Sequence, residues 1–433
     1  MNFTFFSGII LSMKKKKTFS LATIGCRTNQ YESAAYAKQL RELGYVEAVE
    51  GEFAALCIVN TCTVTEGADR SSRHQIRKLA RKHPDAKIVV TGCLADRLPK
   101  EIEAMEEVSH VVPNKEKESL LKQILPEEEL PEFAIDHFGG HTRAFVKVQD
   151  GCNSFCTYCI IPYVRGRSRS RSVDAILREV ETLINKGYKE VVITGVNVGD
   201  FDGGGKDVSL AELVRLIDQS KGLERLRISS IDPDEVDDAL LEAVIEGKTT
   251  CHSMHIVLQS GSNAILKRMN RKYTRQMFLE AIDKLKEASA DFTFTTDIIV
   301  GFPGETDTDF EETLDLMRQI QFAKVHMFPF SRRDRTRAAL YPNQIPKQVM
   351  QKRKAQVLHL CEQIAFDLRE NYVGRTMPIL LEDLDSTKPG YFSGHTENFL
   401  EVLVPEGDLV SNQIVNVTCT ENTPTGLVGC VSK

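Results

Sequence analysis

Six of the eleven cysteines in this chain fall into two groups of three, and both groups are suited to holding metal. Cys152, Cys156 and Cys159 lie together as CxxxCxxC within DGCNSFCTYC. Cys26, Cys62 and Cys93 are far apart in sequence, yet each directly follows an apolar, strand-like run: TFSLATIG, AALCIVN and AKIVVTG. Two three-thiolate sets suggest two metal clusters, each with one metal position that no cysteine holds. Saturated metal sites are structural, whereas an open position is where a metal does chemistry. A zinc ribbon would repeat CxxC, and no second pair or finger-spaced His follows Cys159. The odd cysteine count and uneven spacing do not suit a disulfide framework. Cys251, Cys361, Cys419 and Cys430 read as simple buried thiols.

A chain of 433 residues has room for two or three domains with a substantial core. Its composition, 42% hydrophobic and 27% charged, is that of a soluble globular protein. The net charge of −6 excludes a general polycation, so a nucleic-acid partner would have to be held by local basic patches. The first residues, MNFTFFSGIILS, are apolar and precede Lys14–Lys17, the reverse of a signal peptide, and they are too short to span a bilayer. Residues 1–16 read as disordered or as sequence upstream of a start at Met13. No other stretch suits a membrane, so a cytoplasmic protein without a membrane partner is expected.

The elements that must position these thiols follow from hydrophobic patterning. Residues 17–125 alternate strand and helix, which implies a Rossmann-like parallel α/β domain. In such sheets functional groups gather beyond the carboxyl ends of the strands, and the fold itself would bring Cys26, Cys62 and Cys93 together there. Residues 126–142, acidic and containing Pro126, Pro131, Gly139 and Gly140, read as a linker. Residues 143–371 carry six strand runs (AFVKVQ, EVVITG, RLRISS, MHIVLQ, FTFTTDIIV and AKVHMFPF) separated by helices, a partial (βα)6 TIM-like barrel with its site at the C-terminal mouth. Residues 347–370 form a long helix. Residues 372–433 contain four short strand runs, PILLEDL, FLEVLVP, QIVNVTCT and GLVGCVS, which suit a small OB-like β-barrel. Phe392, His395 and Phe399 read as its core.

A CxxxCxxC loop closing the first strand of such a barrel resembles the radical S-adenosylmethionine (SAM) enzymes. Together with the amino-terminal triad and the small C-terminal barrel, the chain from about residue 17 resembles the radical SAM methylthiotransferases. Their layout is an amino-terminal domain with an auxiliary cluster, a radical SAM domain and a TRAM domain. The resemblance implies two 4Fe–4S clusters, one on Cys152, Cys156 and Cys159 and an auxiliary one on Cys26, Cys62 and Cys93. It also implies two SAM molecules per turnover and replacement of a C–H bond by C–S–CH3. Tyr158 is expected against the adenine. The strand-end turns supply Thr194, Gly195, Asn197, Ser230 and Val300 as SAM contacts, and LQSGSNAILKRMNR adds Gln259 and Arg268. Arg268 either binds the SAM carboxylate or pairs with an acidic neighbour.

The blocks IGCRTNQYES and VNTCTVTEGADRSSRHQIRK look most like the MtaB type, although Thr28 stands where valine is common. That implies C2 of N6-threonylcarbamoyladenosine at position 37 of tRNA as the substrate. The alternatives are the MiaB type (isopentenyladenosine), the RimO type (a ribosomal-protein aspartate) and, in a different class, a non-catalytic metal-bound RNA-binding protein. Arg70, Arg73, Arg77 and Arg81 share a helix face, and Arg165, Arg167, Arg169 and Arg171 follow the second triad. Both sets suit the phosphates of a tRNA anticodon loop. An electron donor such as flavodoxin or ferredoxin and a monomeric state complete the expectation. From Tyr372 onward there are eight acidic residues and three Lys or Arg, so the last domain does not grip RNA by bulk charge.

Overall fold

The structure is a computed structural model that describes residues 17–432. The reading of residues 1–16 lies outside the described residues.

Residues 17–125 form a parallel sheet whose strands lie in the order Val46–Glu47, Thr18–Thr23, Leu56–Thr61, Lys87–Gly92, His110–Val111. Leu56–Thr61 is buried along its whole length, as a central parallel strand covered on both faces must be. On one face the helix Arg27–Glu42 packs Tyr36 and Leu40 against Phe19, Ile58 and Val89. On the other, the helix Glu66–Lys82 packs Ile76 and Leu79 against Val59 and Val90. Thr65 starts the latter helix by accepting a hydrogen bond from the Ala68 N–H.

The first of these helices serves two domains, because its Tyr31 and Ala35 belong to the core of the following barrel. Residues 126–142 contain no helix or strand, but they are not a free tether. Ile135 and Phe138 are buried in the same barrel core, and the Phe133 ring packs on Tyr31 and Tyr36 at 6.3 and 5.4 Å. The acidic, Pro/Gly-rich composition hid three apolar anchors.

The barrel consists of two parallel three-stranded arcs. One contains Arg143–Lys147, Glu190–Thr194 and Arg225–Ile228; the other contains Ser253–His255, Thr293–Val300 and Lys324–Pro329. Bridges at Leu226/Thr250 and Ile231/Ile256 join the arcs, so six strands in chain order form an open barrel. The helix Lys347–Glu370 covers it, with Val357 and Ile364 in the core. The C-terminal unit is a closed barrel of five strands, not four: Thr376–Leu384, Tyr391–Thr396, Glu401–Pro405, Leu427–Val431 and Ile414–Asn422 in order around it. The additional strand, YFSGHT, buries alternate residues Phe392, Gly394 and Thr396, a period-two pattern that its small and polar residues disguise. This unit docks on the larger barrel through Arg225, which donates to the carbonyls of Pro378 (2.8 Å) and His395 (2.9 Å), and through the Arg143–Glu382 pair at 2.8 Å. Among the described residues no helix is long and apolar enough to cross a membrane.

Candidate iron–sulfur and substrate site

Cys26, Cys62 and Cys93 follow three strands that are hydrogen-bonded neighbours in one parallel sheet, so their loops emerge side by side. Two glycines permit the approach. A Cβ on Gly25 (φ +104°) would lie 2.7 Å from Cys62 Cβ, and one on Gly92 (φ +92°) 2.4 Å from the Thr61 carbonyl oxygen. Buried polar side chains lock the three loops. Asn29 Nδ2 donates to the carbonyls of Ile24 (2.7 Å) and Thr61 (3.0 Å). Thr61 Oγ1 donates to the Thr91 carbonyl (2.5 Å) and accepts from the Leu94 N–H. Ser72 Oγ accepts from the Cys62 N–H and donates to the Cys62 carbonyl.

Burial, with Cys93 and Cys26 nearby, pushes the Cys62 thiol up to about 12. Burial raises Cys93 too, against the opposing pull of the Arg165 guanidinium. Such thiols ionise when a metal takes the proton's place. Among the described residues no three or more His, Cys, Asp or Glu side chains converge closely enough to hold a single ion. A closed zinc tetrahedron takes four donors about 2.3 Å from one ion, and the three strand-end cysteines supply three thiolates. They fit a polynuclear cluster, which brings its own bridging sulfides. The buried Asn114 amide is poised beside this donor set, with Nδ2 3.8 Å from Cys93 Sγ and Oδ1 without a partner.

The second triad lies in a loop made possible by Gly151 (φ +76°), where a Cβ would come within 2.1 Å of the Arg167 carbonyl. The buried Gln149 amide ties this loop to the end of the next strand: Nε2 donates to the Gly151 carbonyl (2.8 Å), and Oε1 accepts from Val196 N and Asn197 N (both 3.0 Å). The loop's sulfurs already have hydrogen-bond donors, Arg271 Nη1 at 2.9 Å from Cys156 Sγ and Ser154 N at 3.4 Å from Cys152 Sγ. Arg271 is itself held by Asp232. Donors aimed at sulfur tune a bound cluster.

The two triads face one region. Cys93 packs against Ile160, the residue after Cys159, and against Val164. At the barrel mouth a cavity of about 190 Å³ is lined by Val64, Tyr158, Cys159 and Gln259. A second, of about 330 Å³, is lined by Cys26, Arg27, Thr194, Gly195 and Ser230. Asp297 and Phe328 line both, so the cavities adjoin.

Of the residues expected to contact SAM, Tyr158 and Gln259 line the smaller cavity, and Thr194, Gly195 and Ser230 the larger. Three lie elsewhere. Val300 is fully buried in the barrel core. Asn197 donates to Glu235 at 2.7 Å. Among the described residues Arg268 pairs with no carboxylate: its Nε and Nη2 donate to the Pro303 carbonyl, and its guanidinium lies over Tyr341.

The arginines proposed for RNA divide in the same way. Arg165 has a fully buried side chain that donates to Asp150 (2.8 Å), Glu32 (3.1 Å) and Asn29, so it is an interdomain tie and not a phosphate contact. Arg171 is bound to Glu179 at 2.5 Å. Arg167 and Arg169 are exposed, with Arg167 stacked 4.2 Å over the Phe155 ring. On the helix, Arg77 and Arg81 are exposed, whereas Arg70 pairs with Glu66 and Arg73 with Glu101. Two further positions correct the sequence reading. His395 and Phe399 are not barrel core: they stack on each other with ring centroids 4.7 Å apart, and Phe399 lines the larger cavity. Arg27 and Arg271 were invisible as functional residues because no motif marks them, while Arg165 and Phe399 were read as an RNA contact and as barrel core; only the fold brings all four near the thiols or their cavities.

Comparison with known proteins places the chain in a family. The radical SAM superfamily matches residues 146–317, and the uncharacterized protein family UPF0004 matches residues 18–113. The threonylcarbamoyladenosine tRNA methylthiotransferase MtaB of Chlamydia pneumoniae is 46% identical over 417 residues, covering 96% of this chain and 98% of that protein. The Bacillus subtilis protein of the same name is 36% identical, covering 92% and 93%. The tRNA-2-methylthio-N(6)-dimethylallyladenosine synthase of Acetivibrio thermocellus is 35% identical, covering 93% and 88%. Among solved structures, the radical SAM methyltransferase TsrM of Kitasatospora setae shares the fold with a TM-score of 0.54 at 14% identity, covering 86% of this chain and 79% of that one. Whole-length identity of this order, on top of two thiol triads that meet at a barrel mouth, means that the chain belongs to the radical SAM methylthiotransferase family.

Proposed function

We propose that this enzyme places a methylthio group on C2 of N6-threonylcarbamoyladenosine at position 37 of tRNA. The observation that supports the reaction type is that one cysteine of each set, Cys159 and Cys26, lines one of two adjoining cavities. The likeness that carries the nucleoside is to the MtaB proteins, 46% identical in the case just described. Cys152, Cys156 and Cys159 would hold the cluster that supplies an electron to SAM, and Cys26, Cys62 and Cys93 would hold an auxiliary cluster that supplies a site for sulfur. Tyr158 and Gln259 shape the cavity beside Cys159. Thr194, Gly195 and Ser230 shape the cavity beside Cys26, where the nucleoside is to be held against the other site. The exposed Arg77, Arg81, Arg167 and Arg169 suit the anticodon-loop phosphates. Two SAM molecules per turnover, a flavodoxin- or ferredoxin-like donor, a monomeric enzyme and a cytoplasmic location complete the reading.

The test has two arms. Anaerobically reconstituted protein should hold about eight irons, as two cubanes require, and yield 5′-deoxyadenosine on reduction with SAM. Nucleoside mass spectrometry of tRNA from a deletion strain should show loss of the 2-methylthio derivative of threonylcarbamoyladenosine, restored by the gene. Loss of the isopentenyl derivative instead would overturn the choice of nucleoside, and zinc in place of iron would overturn the reaction type.

A further inference from the structure

Arg27 is out of place electrostatically. It follows Cys26, is half-buried and lines the larger cavity. Among the described residues its guanidinium has no ion pair and no hydrogen bond; it lies over the Phe145 ring, 5.2 Å from the centroid. Arg227 lines the same cavity, and Arg143 lies over the Phe399 ring that also lines it, so the charged neighbours of Arg27 include two further cations. The buried carboxylate of Glu190 is already taken by Arg227 at 2.9 Å and approached by Arg225 at 3.8 Å. A guanidinium removed from water and left among other cations costs free energy unless an anion joins it.

Arg227 shares the deficit. It is 4% exposed, gives Nε to Glu190 and Nη2 to the Glu397 carbonyl (3.1 Å), and leaves Nη1 without a partner. Its guanidinium lies 4.7 Å above the Phe399 ring, and that of Arg143 lies 5.2 Å from it. Phe399 is held at φ +67°, a strained conformation for a bulky residue, in the connection between two strands of the C-terminal barrel. That connection brings an aromatic face to a cavity built by the other two domains. The acidic group on the wall, Asp297, lies 3.4 Å from His255 Nε2, an ion pair only when that imidazole is protonated, and His326 packs beside His255. The cavity thus offers an unsatisfied cationic corner, hydroxyl-rich walls and an aromatic face.

We infer that Arg27, backed by Arg227 and closed over by Phe399, binds a carboxylate on the N6 side chain of the substrate adenosine, and so sets the specificity of the enzyme. The inference rests on the proposed function and extends it to named residues. A threonylcarbamoyl group supplies the missing anion. An alkyl group on N6 would leave the half-buried Arg27 and the buried Arg227 Nη1 without an anion, and an unpaired buried polar group is what rejects an analogue most strongly.

Three anticodon stem-loop RNAs test it against full-length, reconstituted enzyme: one with threonylcarbamoyladenosine, one with the threonine carboxylate converted to a carboxamide, and one with isopentenyladenosine. Wild type should bind the carboxylate RNA about 10- to 100-fold more tightly than the carboxamide, the range of a charge-assisted hydrogen bond. Arg27→Gln should erase that preference while holding the carboxamide RNA as wild type does, which also reports that it folds. Arg27→Lys should keep part of the preference, and Phe399→Ala should weaken all three RNAs. Equal weakening of all RNAs by Arg27→Gln, or weaker SAM binding with the preference intact, would overturn the inference. Failure of wild type to methylthiolate the carboxylate RNA would strike the proposed function instead. A wild type that modifies that RNA without preferring it to the carboxamide would strike only this inference.

Discussion

Removal of Arg165 tests how the two thiol-bearing domains are held together. Its side chain is fully buried and joins Asn29 and Glu32 of the amino-terminal domain to Asp150 of the barrel. Lys117 contacts Glu32 at 2.7 Å and also Asp150, while Lys147 lies 3.7 Å from each carboxylate. Burial pushes Glu32 up, but Arg165, Lys117 and Lys147 together hold it at about 2. Lys147 also donates to the exposed Glu118 at 3.2 Å, so three cations meet three carboxylates, and Arg165 is the member beside Cys93 and Cys26. Breaking a buried ion pair costs about 3–5 kcal/mol because a charge is stranded. Here both carboxylates keep a lysine after Arg165→Leu, so the lower end, about 3 kcal/mol, is expected. The loss should appear in urea unfolding of the apo chain, with Arg165→Lys intermediate. Glu32 also sets a pH signature. Its folded pKa lies below its unfolded value of 4.5, so its stabilisation is complete above 4.5 and is lost as pH falls toward 2. Arg165→Leu should flatten that slope. A cost under about 1 kcal/mol, or additivity with Glu32→Gln, would refute the account of a coupled interface tie.

Three further outcomes are expected. Cys93→Ala should lower bound iron from about eight to about four and abolish the methylthio product while SAM cleavage continues, whereas Cys156→Ala should abolish cleavage as well; iron assay and 5′-deoxyadenosine detection decide. Burial and the neighbouring Asp232 push Glu235 up to about 7 from 4.5, so its folded form disfavours the charge and stability should fall as pH rises through that window. Glu235→Gln should remove up to about 3 kcal/mol of this dependence, and identical melting-temperature profiles from pH 5 to 7.5 would contradict it. Arg77→Glu with Arg81→Glu should reduce the slope of log Kd for tRNA against log salt by about 0.7 per lost phosphate contact, and an unchanged slope would remove this helix from the interface.

The sequence alone determined the frame of this protein. Strand-ending cysteines, six βα repeats and the helix at Lys347–Glu370 were all legible, because apolar periodicity and parallel-sheet topology are local patterns that force distant strand ends together. The tertiary structure decided what each polar side chain faces. Arg165 and Arg167 look alike in VRGRSRSR, but one is a buried tie and the other an exposed cation, since only the fold opposes Glu32 and Asp150 to the first. The polar linker proved to be anchored by Phe133, Ile135 and Phe138, and the strand Tyr391–Thr396 emerged only when its neighbours closed a barrel around it. Arg27 and Phe399, 372 positions apart, line one cavity only because three domains close on it. Charge pairing and cavity shape depend on distances between residues remote in the chain, and a linear pattern does not encode those distances.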